Sequence, residues 1–149
     1  GLVSQFDGLN ALQDKFKDDV VVVGFPSANF DFQEPINDYE EMVNVLSYVR
    51  VGGGFKPNFP LSQRVDVNGD KSHPLYKFLR SKCPRYSDNL LGYMALSMLK
   101  YKPITTSDLY WNYEKILIDK SGIPYRRYPP VVTPDTLQKE IETLLKMKQ

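Results

Sequence analysis

Few side chains in this 149-residue chain could carry chemistry: one thiol, Cys83, one histidine, His73, and one tryptophan, Trp111. A single thiol makes no internal disulfide, no Cys-x-x-Cys redox pair and no zinc cluster, and one histidine gives metal ligation no support. His73, directly before Pro74 at the start of a helical pattern, reads as a cap or surface residue. Taken alone, Trp111 reads as core and Asn112 as a turn or edge residue. Arg50 falls in the last turn of a helical pattern, where a cation complements the helix carbonyls. Arg126 and Arg127 adjoin on a strand pattern and read, by themselves, as a solvated edge. Single residues therefore name no reaction.

Composition narrows the class. The chain is 42% apolar and 25% charged with net charge +1, which suits one soluble domain spanning 1–149. No basic field argues for nucleic acid or an anionic membrane surface as partner. The longest apolar run, Val20 to Phe25, is too short to span a bilayer, and no secretory signal is visible at the N-terminus. The lone cysteine fits an intracellular setting, or a thiol whose partner lies upstream of Gly1.

Periodicity places these residues on elements. Phe6, Leu9, Leu12 and Phe16 predict an amphipathic helix over 3–17. The β-branched run Val20 to Val23 predicts a buried central strand entering the Gly24-Phe25-Pro26 turn. Asn37 or Asp38 caps a second helix whose apolar stripe is Tyr39, Met42, Val43, Leu46 and Val49, and Gly52-Gly53-Gly54 ends it. Leu61, Val65 and Val67 form a short apolar series closed by Asn68-Gly69. A helix follows from His73-Pro74, and 84–109 reads as a long, partly helical insertion. Tyr110 to Tyr113 and Ile116 to Ile118 read as strand, and Lys120-Ser121-Gly122 turns the chain into a hairpin with Ile123 to Tyr128. Thr133-Pro134-Asp135 starts a terminal helix. The order implies an α/β fold around a mixed sheet.

Several contiguous blocks are similar to the glutathione peroxidase family. They are Gly8-Leu9-Asn10-Ala11-Leu12-Gln13, Gly24-Phe25-Pro26, Gln33-Glu34-Pro35, Tyr48 to Phe55 with its three glycines, Val67-Asn68-Gly69, and Trp111-Asn112-Tyr113-Glu114-Lys115. The resemblance covers Gly1 to about Leu145. It implies a thioredoxin-like fold with a mixed central sheet flanked by helices, whose N-terminal hairpin and first strand would lie before Gly1. It also implies a peroxidatic cysteine or selenocysteine immediately upstream of Gly1, so that the 149 residues alone are expected to be inactive.

By the same resemblance, Asn29, Trp111 and Asn112 are the catalytic donors. Asn29 takes the family's glutamine position with one methylene less, while Gln33 belongs to the Gln-Glu-Pro block and is not expected to substitute for it. Arg50, Arg126 and Arg127 are the implied substrate-binding residues for the glutathione carboxylates. No cofactor is implied beyond glutathione as co-substrate, and the partners are small-molecule peroxides and thiols. The helix after Gln-Glu-Pro carries no resolving cysteine, so a thioredoxin-dependent cycle is not expected. The glycine-rich 52–60 loop and the 84–109 insertion resemble tetrameric animal members, and Ser81 to Gly92 looks closest to the extracellular, plasma-type branch. A secreted dimer or tetramer is thus implied, with a cytoplasmic setting as the alternative. Phe55 and Phe59, together with Leu90, Leu91, Tyr93, Met94, Leu96 and Met98, are the expected apolar patch between subunits. Ser27-Ala28-Asn29 and Asp31-Phe32 depart from the family pattern. They support a second reading, a catalytically degenerate secreted structural or interaction protein.

Overall fold

Helix α1, Gln5–Phe16, buries Leu12 and Phe16 and is flanked by single tight turns, Leu2–Ser4 and Lys17–Asp19. It opens the first of two compact units in the computed structural model, which describes residues 2–34, 38–83 and 96–147. The first unit comprises Gly1–Phe25, Ile36–Gln63 and Val131–Gln149; the second comprises Pro26–Pro35 and Arg64–Pro130.

In the first unit α1 acts as a rack for loops. Asn10 donates to the Lys56 carbonyl and accepts from the Asn58 backbone N–H, at 2.9 and 3.0 Å. Gln13 accepts from Val22 N–H at 2.8 Å and donates to the Val20 carbonyl at 3.0 Å. Those two bonds accompany a departure from the sequence pattern. Val20 to Val23 is extended backbone rather than a buried central strand, and the Gln13 side chain takes two of the groups a neighbouring strand would use. Val21 and Val23 are exposed. Strand-like pairing begins only at Gly24, in a parallel bridge to Leu61.

Asp38 caps helix α2, Tyr39–Val45, by accepting the Glu41 N–H at 2.8 Å. The helix widens into a π-type turn over Leu46–Arg50, and Gly52, Gly53 and Gly54, all with positive φ, release the chain. Met42 and Leu46 are buried, with Phe6, Val45, Val51, Phe55 and Leu61 packed against them. Tyr39 and Val49 of the expected stripe are instead exposed, as is Tyr48. Phe55 and Phe59 are not a subunit patch either: Phe55 packs on Phe6 with ring centroids 5.5 Å apart, and Phe59 is buried. Helix α4, Gln138–Lys146, follows a tight turn at Pro134–Leu137 and is tied to α1 by Lys15, which meets Glu142 at 2.7 Å.

The second unit holds helix α3, Pro74–Lys82, opened by His73 Nδ1 accepting the Leu75 N–H at 3.2 Å, with Pro74 in the first turn. It also holds the hairpin of β1, Lys115–Ile118, and β2, Pro124–Tyr128, antiparallel with a bulge between Leu117 and Ile118. Tyr110 to Tyr113 is a turn instead of strand, with Tyr113 at φ 64°. An antiparallel bridge joins Phe30 to Leu99. The parallel bridge of one unit and the antiparallel pairs of the other are the only mixed-sheet features among the described residues. Leu90, Leu91, Tyr93 and Met94 lie outside those residues.

Candidate active site

Contacts between distant parts of the second unit place Asn29, Trp111, Asn112, Arg126 and Arg127. Asn29 is 2% exposed, and its side-chain oxygen and one of its two amide N–H groups are bonded into the scaffold. Its Oδ1 accepts from the backbone N–H groups of Val67 and Asn68, at 2.8 and 3.0 Å, and its Nδ2 donates to Asp66 Oδ1 at 2.9 Å. Asn68, 1% exposed, then exchanges two 2.8 Å bonds with the backbone of Leu109. A chain of buried amides thus runs from Asn29 to a point two residues before Trp111.

Trp111 is buried against Phe30, ring centroids 5.3 Å apart and planes inclined at 46°. Its indole Nε1 has no hydrogen-bond partner among the described residues. Asn112 is half-buried, and its Nδ2 donates to Gln33 Oε1 at 2.8 Å across 79 positions of sequence. Gln33 is presented by a turn closed by its own N–H on the Phe30 carbonyl, at 3.1 Å. Asp31 and Phe32 inside that turn have φ of 52° and 50°. Left-handed backbone costs roughly 1 kcal/mol or more per non-glycine residue.

The three arginines are placed very differently. Arg127 is fully buried: its Nε donates to Glu114 Oε1 at 2.6 Å, its Nη1 to the Ser107 carbonyl at 2.8 Å and its Nη2 to the Asp108 carbonyl at 2.9 Å. Glu114 accepts the Tyr110 N–H with its other oxygen, at 2.7 Å. Arg127 therefore holds the turn before Trp111 and offers no surface to a solute carboxylate. Arg126, its neighbour on β2, is exposed with its guanidinium over the Tyr125 ring at 5.8 Å. Arg50 is exposed at the end of the π-type turn in the other unit.

A second buried ion pair supports the same turn. Arg80 on α3 meets Asp108 at 2.7 Å and Ser72 at 2.8 Å, while Thr105 donates its N–H and hydroxyl to Asp108, at 2.7 and 2.8 Å. The charges shift their neighbours. Burial raises the Tyr76 hydroxyl well above its ordinary value, and Glu114 adds to the rise. Burial pushes the Lys115 ammonium down to about 8, with Glu114 opposing. The Cys83 thiol is buried and raised, by burial first, with Arg127 opposing and Glu114 adding. A buried thiol kept protonated is a poor nucleophile. Among the described residues no three His, Cys, Asp or Glu side chains cluster as a metal site, and no helix is long and apolar enough to cross a membrane.

The site thus consists of an indole N–H and two meeting amides, Asn112 and Gln33, on a scaffold of buried amides and ion pairs. Such neutral donors stabilise an anion where solvent is partly excluded. Sequence reasoning omitted Gln33, Asp66, Asn68 and Glu114 from the site. Gln33, Asn68 and Glu114 each stand in a family-like block; no local pattern announces a contact 79 residues away.

Comparison with known proteins bears on what the anion is. Residues 1–80 match the glutathione peroxidase family model. The chain is 41% identical over 140 residues to Glutathione peroxidase 2 of Rattus norvegicus, covering 93% of this chain and 73% of the relative. It is 42% identical over 127 residues to Glutathione peroxidase 1 of Bos taurus, covering 85% and 62%. It is 40% identical over 147 residues to the Epididymal secretory glutathione peroxidase of Macaca fascicularis, covering 98% and 65%. Among solved structures, it superimposes on the apo form of Trgpx with a TM-score of 0.63 at 26% identity, covering 99% of this chain and 74% of that one. For T. cruzi GPX1 the TM-score is 0.59 at 25% identity, covering 95% and 71%. The fold is thioredoxin-like.

Proposed function

Because the chain belongs to the glutathione peroxidase family, we propose that it forms the body of a peroxidase that reduces hydrogen peroxide and organic hydroperoxides with glutathione or a similar thiol. The observation that carries this reading is the pairing of Asn112 with Gln33 beside Trp111, whose indole N–H has no partner among the described residues. Burial raises the pKa of Cys83, the chain's single thiol, and disfavours it as the nucleophile; family membership supports a cysteine or selenocysteine outside the 149 residues in that role. Its chalcogenolate attacks one peroxide oxygen, the O–O bond breaks, and the other oxygen leaves as hydroxide or alkoxide and takes up a proton. The nucleophile is then a sulfenic or selenenic acid. One thiol condenses with it, releasing water, and a second displaces the mixed disulfide, giving the oxidised thiol dimer and the starting chalcogenolate. Trp111 and Asn112 stabilise the anion; Arg126 and Arg50 are proposed to meet the carboxylates of glutathione.

Secretion belongs to the same proposal, supported by the epididymal secretory relative. Assembly into a dimer or tetramer is supported by Tyr39, Tyr48 and Val49, which are 56%, 78% and 73% exposed. The second reading, a degenerate secreted structural protein, is favoured by one feature: Asn29, in the family's glutamine position, has its amide bound into the scaffold.

A coupled assay that follows NADPH through glutathione reductase separates the two. The natural polypeptide that includes the residues preceding Gly1 is expected to consume hydrogen peroxide, and the 149-residue chain is expected not to. Absence of turnover in the longer polypeptide leaves the degenerate reading.

A further inference from the structure

We propose that Gln33, and not Asn29, is the amide partner of the donor set: a positioning residue that fixes the Asn112 side chain so that its remaining N–H points at the nucleophile. This rests on the peroxidase reading above and extends it. Asn29 is tied into the scaffold instead: its carbonyl oxygen and one side-chain N–H are bonded to Val67, Asn68 and Asp66 at a site only 2% exposed. Gln33 has the opposite character. Its Oε1 accepts from Asn112 Nδ2 at 2.8 Å, and its Nε2 has no partner among the described residues.

The backbone supports the same assignment. Each of the two amides adjoins a non-glycine residue held in the left-handed region: Phe32, at φ 50°, precedes Gln33, and Tyr113, at φ 64°, follows Asn112. Asp31 adds a third, at φ 52°. Such conformations persist only when their surroundings impose them, and they concentrate where a side chain must be aimed. Lys100 contacts both residues of that turn, lying 3.6 Å from the Asp31 carboxylate and 5.5 Å from the Phe32 ring centroid. A half-buried asparagine without a partner would rotate about its last torsion, which is broad and roughly two-fold. Accepting one N–H removes that freedom and leaves the other N–H in a fixed direction.

Two readouts test the assignment. In the 149-residue chain, the Asn112 side-chain amide protons are followed by 15N–1H NMR in Gln33→Leu and Gln33→Glu. Leucine is expected to move them upfield; glutamate, which still accepts, is expected to keep them downfield. Asn112 resonances unmoved in Gln33→Leu, with the Trp111 indole peak showing a folded chain, overturn the proposal. In the natural longer polypeptide, Gln33→Leu is expected to lower the second-order rate with peroxide about tenfold and leave the thiol step unchanged. An equal loss in both steps, or none, likewise overturns it. Absence of turnover in the unsubstituted longer polypeptide sinks the peroxidase reading alone, because the NMR readout stands without activity.

Discussion

Asn29 holds Asn68: its buried side-chain oxygen accepts the Asn68 backbone N–H at 3.0 Å, and Asn68 in turn grips Leu109 through two 2.8 Å bonds. That relay passes from the loop after Gly24-Phe25-Pro26 to the turn carrying Trp111. It makes the asparagine a structural member of the site whose worth is read in stability.

Asn29→Ala is expected to destabilise the chain by about 2–4 kcal/mol, since it leaves the N–H groups of Val67 and Asn68 buried without acceptors. Asn29→Gln, which lengthens the side chain in a site 2% exposed, is expected to cost about 1–3 kcal/mol and not to raise peroxide reactivity. Urea unfolding followed by Trp111 fluorescence checks both. Unchanged midpoints would mean the relay carries no load.

The two adjacent arginines should separate cleanly. Arg127→Ala removes the buried guanidinium that faces the Glu114 carboxylate and is expected to cost about 3–5 kcal/mol. Arg126→Ala, at an exposed position, is expected to leave stability within about 0.5 kcal/mol and raise the KM for glutathione in the longer polypeptide. Unfolding midpoints and thiol-dependence curves decide. Loss of stability at Arg126 would contradict the placement.

Cys83 should be silent in the folded chain. Its thiol is buried and held protonated, so an aromatic disulfide reagent at neutral pH is expected to titrate it only after denaturant is added. Rapid reaction in native buffer would show the site open.

Lys115 gives the chain a pH signature. Burial lowers its ammonium to about 8 from 10.5, so between those values the unfolded state binds more protons and stability from this group rises with pH. The stability of the unsubstituted chain relative to Lys115→Met is therefore expected to increase from pH 7 to pH 10. A flat difference would mean that Lys115 keeps its ordinary affinity for protons.

Helices were the most legible part of the sequence. Leu12 and Phe16 of α1, the Asp38 cap and the His73-Pro74 start all follow from local periodicity and capping chemistry. The β1–β2 hairpin was legible too, from Lys120-Ser121-Gly122. Val20 to Val23 was not, because Gln13 bonds to its backbone from another element. Trp111 and Asn112 were marked by their motif. Gln33 as Asn112's partner, Asn29 as a scaffold amide and Arg127 as a buried counter-ion depend on contacts that no window of sequence contains.

The claim that Trp111 and Asn112 stabilise a chalcogenolate is tested most directly by the pH dependence of alkylation of the peroxidatic residue in the natural longer polypeptide. Losing one charge-assisted donor in Asn112→Ala is worth about 1.5–3 kcal/mol, so the alkylation midpoint is expected to move up by roughly one to two pH units. Peroxide oxidation should slow by about ten- to hundredfold with it. A midpoint and rate indistinguishable from those of the unsubstituted protein would contradict the account.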